Sequence, residues 1–160
     1  MTRTTLLESA DERLVSHPAE ALYAVLADLR GYPRWWPREI GLREARVQGG
    51  LVGSEIAVDP FGGRPFSLRI VAATAPRRIT FAYEADWLEG EGAWSLRKEG
   101  AGAMVRYAVH LRADRWLTAL AGRVLDLAGL HSRQMHEVLE ALEAETTRRT
   151  AAGALAQVPR

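Results

Sequence analysis

The sequence has no cysteine, no asparagine and, among 21 basic residues, a single lysine, Lys98. The missing cysteine excludes disulfides, thiolate metal sites and a cysteine nucleophile. It fits a cytoplasmic protein, because reducing compartments do not sustain the bridges that small secreted domains rely on. The near-absence of lysine and the absence of asparagine read as the codon bias of a GC-rich genome rather than as chemistry. No apolar run approaches the roughly 20 residues that cross a bilayer, so no stable membrane insertion is expected. The first fifteen residues, "MTRTTLLESADERLV", hold no apolar core of signal-peptide length. Neither sign of charge dominates: the net charge is +1, and no block of like charge offers a grip on phosphate. Nucleic acid is therefore not an expected partner. No GxGxxG, Walker loop or HExxH occurs, so neither a cofactor nor a metal is expected. His131 and His136 are five apart on one helical pattern, which sets them on well-separated sides, and His17 and His110 are isolated.

What is present suits one globular domain. The 160 residues are 48% hydrophobic and 26% charged, enough for a real core. A single domain is expected over residues 1–147, followed by a flexible tail over 148–160, which is small, polar and alanine-rich. Residues 3–15 read as a strand. "SHPAEALYAVLADLRGYP" reads as a helix: Pro18 suits its first turn, Ala19, Leu22, Tyr23, Leu26 and Leu29 form one face, and Gly31 and Pro33 stop it. "PRWWP" has room for one helical turn.

From about 40 to 113 the punctuation changes to frequent glycine and proline, with period-two patterning between. Ile79, Phe81 and Tyr83 share one face; so do Trp94 and Leu96, and Val105, Tyr107, Val109 and Leu111. This is an antiparallel meander of about six strands, wet on one side. "PFGGRP" and "KEGAGA" read as hairpin turns, and the glycines of "GEG" as hairpin glycines too. The last element is a long helix, about Arg115 to Thr147. Its stripe runs through Trp116, Leu120, Val124, Leu127, His131, Met135, Val138 and Leu142, with Gly122 and Gly129 as sites of a bend or a close approach. Such a helix must lay its stripe on the sheet, and a strongly curved sheet tends to leave a space beneath it.

Certain segments go further than pattern. They are "HPAEALYAVLADLRGYPRWWP" after the first strand, "ATAPRRITFAY" at a strand corner, "GEGAWSL" on the next strand, and "LAGRVLDLAGLHSRQMHEVLEALEAE" at the end. In this order they resemble the START-like (SRPBCC) superfamily, and within it the bacterial polyketide cyclase/dehydrase and lipid transport group. The proline-started helix, Asp28 near its end and the tryptophan shortly after carry the resemblance best. It implies an α+β helix-grip fold: a curved antiparallel sheet of about seven strands wrapped around a long C-terminal helix, with two short N-terminal helices. It also implies a hydrophobic cavity between sheet and last helix. Members of the group use that cavity for lipids, sterols, plant hormones, quinones or aromatic polyketides; some catalyse cyclisation and many only carry or sense a ligand.

Candidate residues follow. Of Trp35 and Trp36, one ring is expected to close the core, where burial contributes on the order of 2–3 kcal/mol, and the other to stand at or near the cavity entrance; two adjacent residues on a proline-bound turn leave open which does which, and Trp36 is carried in the cavity set. His131 interrupts an apolar stripe. It reads either as a core histidine satisfied by one hydrogen bond, to a tyrosine for example, or as a group that orients a ligand or moves a proton. No carboxylate stands beside it on the stripe. Phe81, Tyr83, Trp87, Trp94 and Tyr107 read as core packing or as an aromatic-walled pocket. The cavity set is Trp36, Phe81, Tyr83, Trp94, Tyr107, Leu127, His131 and Met135. Arg69 is expected in solvent, or, if a bulge reverses the strand's phase, buried as an anion anchor. Glu84, Asp86, Glu89 and Glu91 read as a solvated face with weak ion pairs. The expected function is binding or transport of a small hydrophobic or aromatic molecule, lipid, polyketide or quinone-like, without a cofactor. The alternative is an aromatase/cyclase-like enzyme, and a third reading is an interaction protein with a collapsed cavity. A homodimer stays open.

Overall fold

The computed structural model describes residues 2–59, 64–124 and 126–156, and only the backbone of 120–124 and 154–156. Strand β1 (Arg3–Val15) leads into helix α1 (Ala19–Ala27), a 3-10 turn (Leu29–Gly31), the one-turn helix α2 (Tyr32–Trp35) and a second 3-10 turn (Arg38–Ile40). Six strands follow: β2 (Leu42–Gln48), β3 (Gly50–Val58), β4 (Phe66–Thr74), β5 (Arg78–Ala85), β6 (Leu88–Glu99) and β7 (Gly102–Asp114). Helices α3 (Arg115–Val124) and α4 (Leu127–Ala156) end the chain. The seven strands form one antiparallel sheet in the order β1-β7-β6-β5-β4-β3-β2. This is the α+β helix-grip architecture expected from the sequence, with its long C-terminal helix and short N-terminal helices.

The alternation of residue types decides the faces. Ile79, Phe81 and Tyr83 of β5, Trp94 and Leu96 of β6, and Val105, Tyr107, Val109 and Leu111 of β7 are all buried. Met135, Val138, Leu139 and Leu142 of α4 and Leu22, Val25 and Leu26 of α1 cover them. Register shifts in the β1–β7, β2–β3 and β4–β5 ladders bend the sheet, since an extra residue on one strand adds local twist. Arg69 is exposed and bonds to Glu84, with Glu55 at 3.7 Å, so the solvent reading of that strand's phase holds.

Two local expectations need correction. Gly90 and Gly92 are not turn glycines; they lie inside β6. A Cβ on Gly92 would stand 2.4 Å from Cε2 of Phe81. The missing side chain leaves room for that ring. The turn read in "PFGGRP" falls largely on residues 60–63, outside the described residues, whereas "KEGAGA" does make the β6–β7 turn, with Glu99 opposite Gly102.

The second correction concerns the last helix, which is two helices. Asp126 caps α4: its Oδ1 accepts from the Gly129 amide at 2.9 Å, and its carbonyl accepts from Leu130 at 2.9 Å. An aspartate with that geometry starts a helix rather than continuing one. The continuous stripe from Trp116 to Leu142 therefore breaks; Trp116 is 53% exposed, and the side chains of Leu120 and Val124 lie outside the described residues. At its far end α4 runs to Ala156, past Thr147. Arg149 on that extension bonds Asp28 at 2.9 Å and buried Glu145 at 2.7 Å, tying the end of α1 to α4. Gly31 makes room for this knot, because a Cβ there would stand 2.3 Å from Asp28 Oδ2.

Replacing the cap tests the break. Asp126→Ala is expected to cost about 1 kcal/mol in urea unfolding, and Asp126→Asn less than half of that. Equal, negligible losses for both would show that the cap does not hold the start of α4.

Candidate functional site

A cavity of about 510 Å³ lies between the inner face of the sheet and α4. The sheet supplies Leu68, Tyr83, Leu88, Tyr107 and Leu111; the helix supplies Leu127, Leu130, His131, Gln134 and Met135. Nearly every lining atom is apolar, which follows from the same alternation that builds the core. The interior is thus open rather than collapsed.

Trp36 closes one side of this space, and Trp35 does not reach it. Trp35 is the last residue of α2 and is buried in the core, its ring edge-on to Tyr32 at 4.8 Å. At Trp36 the backbone turns extended, with φ −61° and ψ 133°. Pro37 enforces this, since a residue before proline is disfavoured in the helical region. The two neighbouring rings therefore part: Trp36 stacks on the other side of the cluster, 5.5 Å from Tyr32 and 13° from parallel. Tyr32 anchors both by donating its hydroxyl to the Leu26 carbonyl at 2.7 Å.

Tyr83, Tyr107, Leu127, His131 and Met135 also line the cavity. Phe81 and Trp94 stand behind the wall. Phe81 stacks on Tyr107 at 5.7 Å and Trp94 meets Tyr107 at 4.7 Å, so these two rings support a lining residue instead of being one. Trp87, half-buried at the β5–β6 turn, does line the space.

The polar part is compact. His131 lies with its ring 5.8 Å from that of Tyr107. Its Nδ1 is buried and makes no hydrogen bond, which leaves the single satisfied bond expected of a core histidine unmade at this atom. The nearest charge to Nδ1 is the carboxylate of Asp11, at 3.9 Å. Asp11 is buried on β1 and accepts hydrogen bonds from Ser132, beside His131 on α4, and from Ser9 at 3.3 Å. In the β1–β7 ladder Asp11 sits opposite Tyr107. The Tyr107 and Tyr83 hydroxyls bond to each other. Burial pushes both tyrosines well above their ordinary range, so both stay protonated. Burial also holds His131 below the ordinary histidine value, with the Asp11 charge opposing. At neutral pH the site thus offers an uncharged imidazole and two phenols in an apolar chamber. That set can hydrogen-bond one polar group of a ligand or shuttle a proton. Among the described residues that line the chamber there is no serine and no cysteine; the Ser132 hydroxyl is engaged by Asp11.

Sequence reasoning missed Asp11, because the carboxylate comes from another element and not from the helical stripe. Its signal was present: Leu7, Asp11 and Val15 fall on one parity of β1 and all are buried. It also missed Arg64 and Gln134. Arg64 lines the cavity where it meets solvent, its guanidinium 5.8 Å from the Trp87 ring and 5.6 Å from that of Trp116. The acidic face is as read: Glu84 pairs with Arg69, and Glu89 with Arg3 at 2.6 Å. Among the described residues no group of three or more His, Asp or Glu is arranged to hold a metal ion. No helix among them is long and apolar enough to cross a membrane.

No protein-family model matches the sequence, and none of the curated proteins does. Solved structures do match in fold. A point mutant of norcoclaurine synthase from Thalictrum flavum, in complex with a transition-state analogue, superposes with a TM-score of 0.69 at 9% identity, over 94% of this chain and 99% of that one. A protein from Thermus thermophilus gives 0.69 at 18% identity, over 89% and 99%. A START superfamily protein from Mycobacterium smegmatis gives 0.64 at 15% identity, over 88% and 97%. At these identities the likeness shows the fold alone: the chain has the START-like helix-grip fold.

The imidazole provides the test of this site. In NMR titration His131 is expected to protonate below 6.5, the ordinary histidine value. Asp11→Asn should lower it further, since that charge opposes the burial effect. A histidine depressed in the folded state binds fewer protons than in the unfolded chain, so its contribution to stability falls as pH drops through 6.5 toward the folded value. A His131 that titrates above 6.5, or that rises in Asp11→Asn, would contradict the geometry.

Proposed function

We propose that this protein binds a small apolar or aromatic molecule non-covalently in the cavity between sheet and α4, as a carrier or sensor of a lipid, polyketide or quinone-like compound. The observation that carries the reading is an apolar chamber of about 510 Å³ whose few polar groups include a contiguous cluster of His131, Tyr107 and Tyr83. That is the usual make-up of a small-molecule site: area for affinity and a few polar groups for orientation. A ligand losing about 250 Å² of apolar surface gains about 6 kcal/mol at ~25 cal/mol per Å², less the cost of association. Support for an aromatic occupant comes from a norcoclaurine synthase of the same fold, described in complex with dopamine and hydroxybenzaldehyde. A cytoplasmic location belongs to the same reading.

A second reading rests on Asp11 beside His131. A buried carboxylate facing Nδ1 is the arrangement that favours a proton on that nitrogen and leaves Nε2 as a base. An aromatase/cyclase-like enzyme would fold a polyketide chain in the cavity and use that base. A substrate turned over at the wild-type rate by His131→Ala would remove the residue from such a role.

The test of binding uses native mass spectrometry for a co-purified ligand and Nile red, a neutral probe, in solution. Nile red is expected to bind with an emission blue-shift. Leu130→Trp, which fills the chamber from a half-buried position on α4, should weaken binding at least tenfold while leaving the far-UV spectrum unchanged. Absence of any co-purified ligand together with no Nile red binding would refute the proposal.

A further inference from the structure

Arg64 is the one formally charged side chain among the described residues that line the cavity. It is exposed at the opening, and two tryptophan rings flank it at 5.8 and 5.6 Å. Its place there is unusual on two counts. First, among the described residues none of the ion pairs involves it. Glu84 and Asp86 share a shallow outer groove with Arg64, but Glu84 is taken up by Arg69, and Asp86 makes no ion pair with Arg64. Second, Trp116 is 53% exposed, and its ring lies 5.6 Å from the Arg64 guanidinium.

The chemistry of a guanidinium between indoles limits what it can do next. Aromatic faces attract the cation through the ring quadrupole. Stacking uses the flat faces of the guanidinium and leaves its N–H groups, which lie in the plane, free to donate. Such a fork matches a carboxylate or another oxyanion in a bidentate way. The indoles restrict the side chain beforehand, which lowers the entropy lost when an anion arrives. Besides Arg64, the polar side chains of the lining are Gln134, His131, Tyr107, Tyr83 and the indoles of Trp36 and Trp87; the rest of the lining is apolar.

We propose that Arg64, held between Trp87 and Trp116, receives an acidic head group, so that the cavity's ligand is an amphiphile: an apolar or aromatic body carrying one carboxylate or similar oxyanion at the opening. The inference rests on the ligand-binding reading above and narrows its ligand class. The body fills the chamber, and the head stays at the solvent edge, where its hydration is only partly lost. Arg64 then sets selectivity for acid over neutral analogue more than total affinity.

The experiment is displacement of Nile red at low salt by matched pairs: decanoate and its methyl ester, and a naphthalene carboxylate and its methyl ester. The wild-type protein is expected to favour each acid over its ester about fivefold, the scale of a partly exposed ion pair, with the preference shrinking as salt is raised. Arg64→Gln should abolish the preference, read within each protein as the ratio of acid to ester affinity so that any general change in cavity binding cancels; Arg64→Lys should keep part of it. Equal binding of acid and ester by the wild type, or a preference that survives in Arg64→Gln, overturns the proposal and leaves the ligand-binding reading standing. Failure of Nile red, acids and esters alike overturns both. A loss in Arg64→Gln confined to binding of vesicles containing phosphatidylglycerol, with the acids unaffected, also overturns it and places Arg64 at a membrane surface instead.

Discussion

Strand β1 pairs with β7 along its whole length, from Arg3 opposite Asp114 to Val15 opposite Ala103. The first strand of the chain thereby lies beside the last, and the site depends on that ladder. It sets Asp11 opposite Tyr107, and through Tyr107 beside Tyr83. It also gives α4 a partner at the sheet edge: Ser132 bonds Asp11, and Arg13 bonds Glu143 at 2.9 Å. A slip of one residue would turn Asp11 outward and put Ala10 or Glu12 in its place, because strand side chains alternate faces. A buried carboxylate needs its hydrogen bonds, and the ladder is what delivers them.

The cavity follows from a mismatch of shapes. A bent seven-stranded sheet presents more concave apolar surface than one helix can cover. Where α1 and the middle of α4 meet the sheet, Leu22, Val138, Leu139 and Leu142 are fully buried. Toward the start of α4 the filling stops, and Leu127, Leu130 and His131 face open space. Asp126 contributes by starting a new helix at that point. One uninterrupted helix would have carried the stripe of Trp116 straight on; the break leaves Trp116 outside, free to meet Arg64.

The tryptophan pair shows two roles separated by one peptide unit. Trp35 ends a helical turn and goes into the core; Trp36, made extended by the proline after it, goes to the cavity. Both indole nitrogens are buried without a hydrogen-bond partner. Both rings pack on Tyr32, Trp35 edge-on and Trp36 stacked, and the Tyr32 hydroxyl is itself satisfied by the Leu26 carbonyl. The fold therefore places the cavity wall and the core anchor on one rigid aromatic cluster.

Much of this was legible in the residues alone, because periodicity is a local property. Alternation in 79–83, 94–96 and 105–111 settles which side of each strand is buried, and helical spacing in 19–29 and 131–142 settles the faces that cover them. With glycine and proline to end the elements, that gives the order of strands and helices and a long helix laid on a sheet, while the helix-grip architecture came from the resemblance of particular segments; the pattern also pointed to His131, Tyr83 and Tyr107 as residues of interest. It could not supply Asp11 as the neighbour of His131, since 120 positions separate them and only strand register brings them together. Nor could it show that Phe81 and Trp94 lie behind Tyr107 when all three share a face. A period states which side a residue takes; which residues then touch, and where the interior stays empty, depends on how the curved sheet and the straight helix meet, and that is decided only in the folded chain.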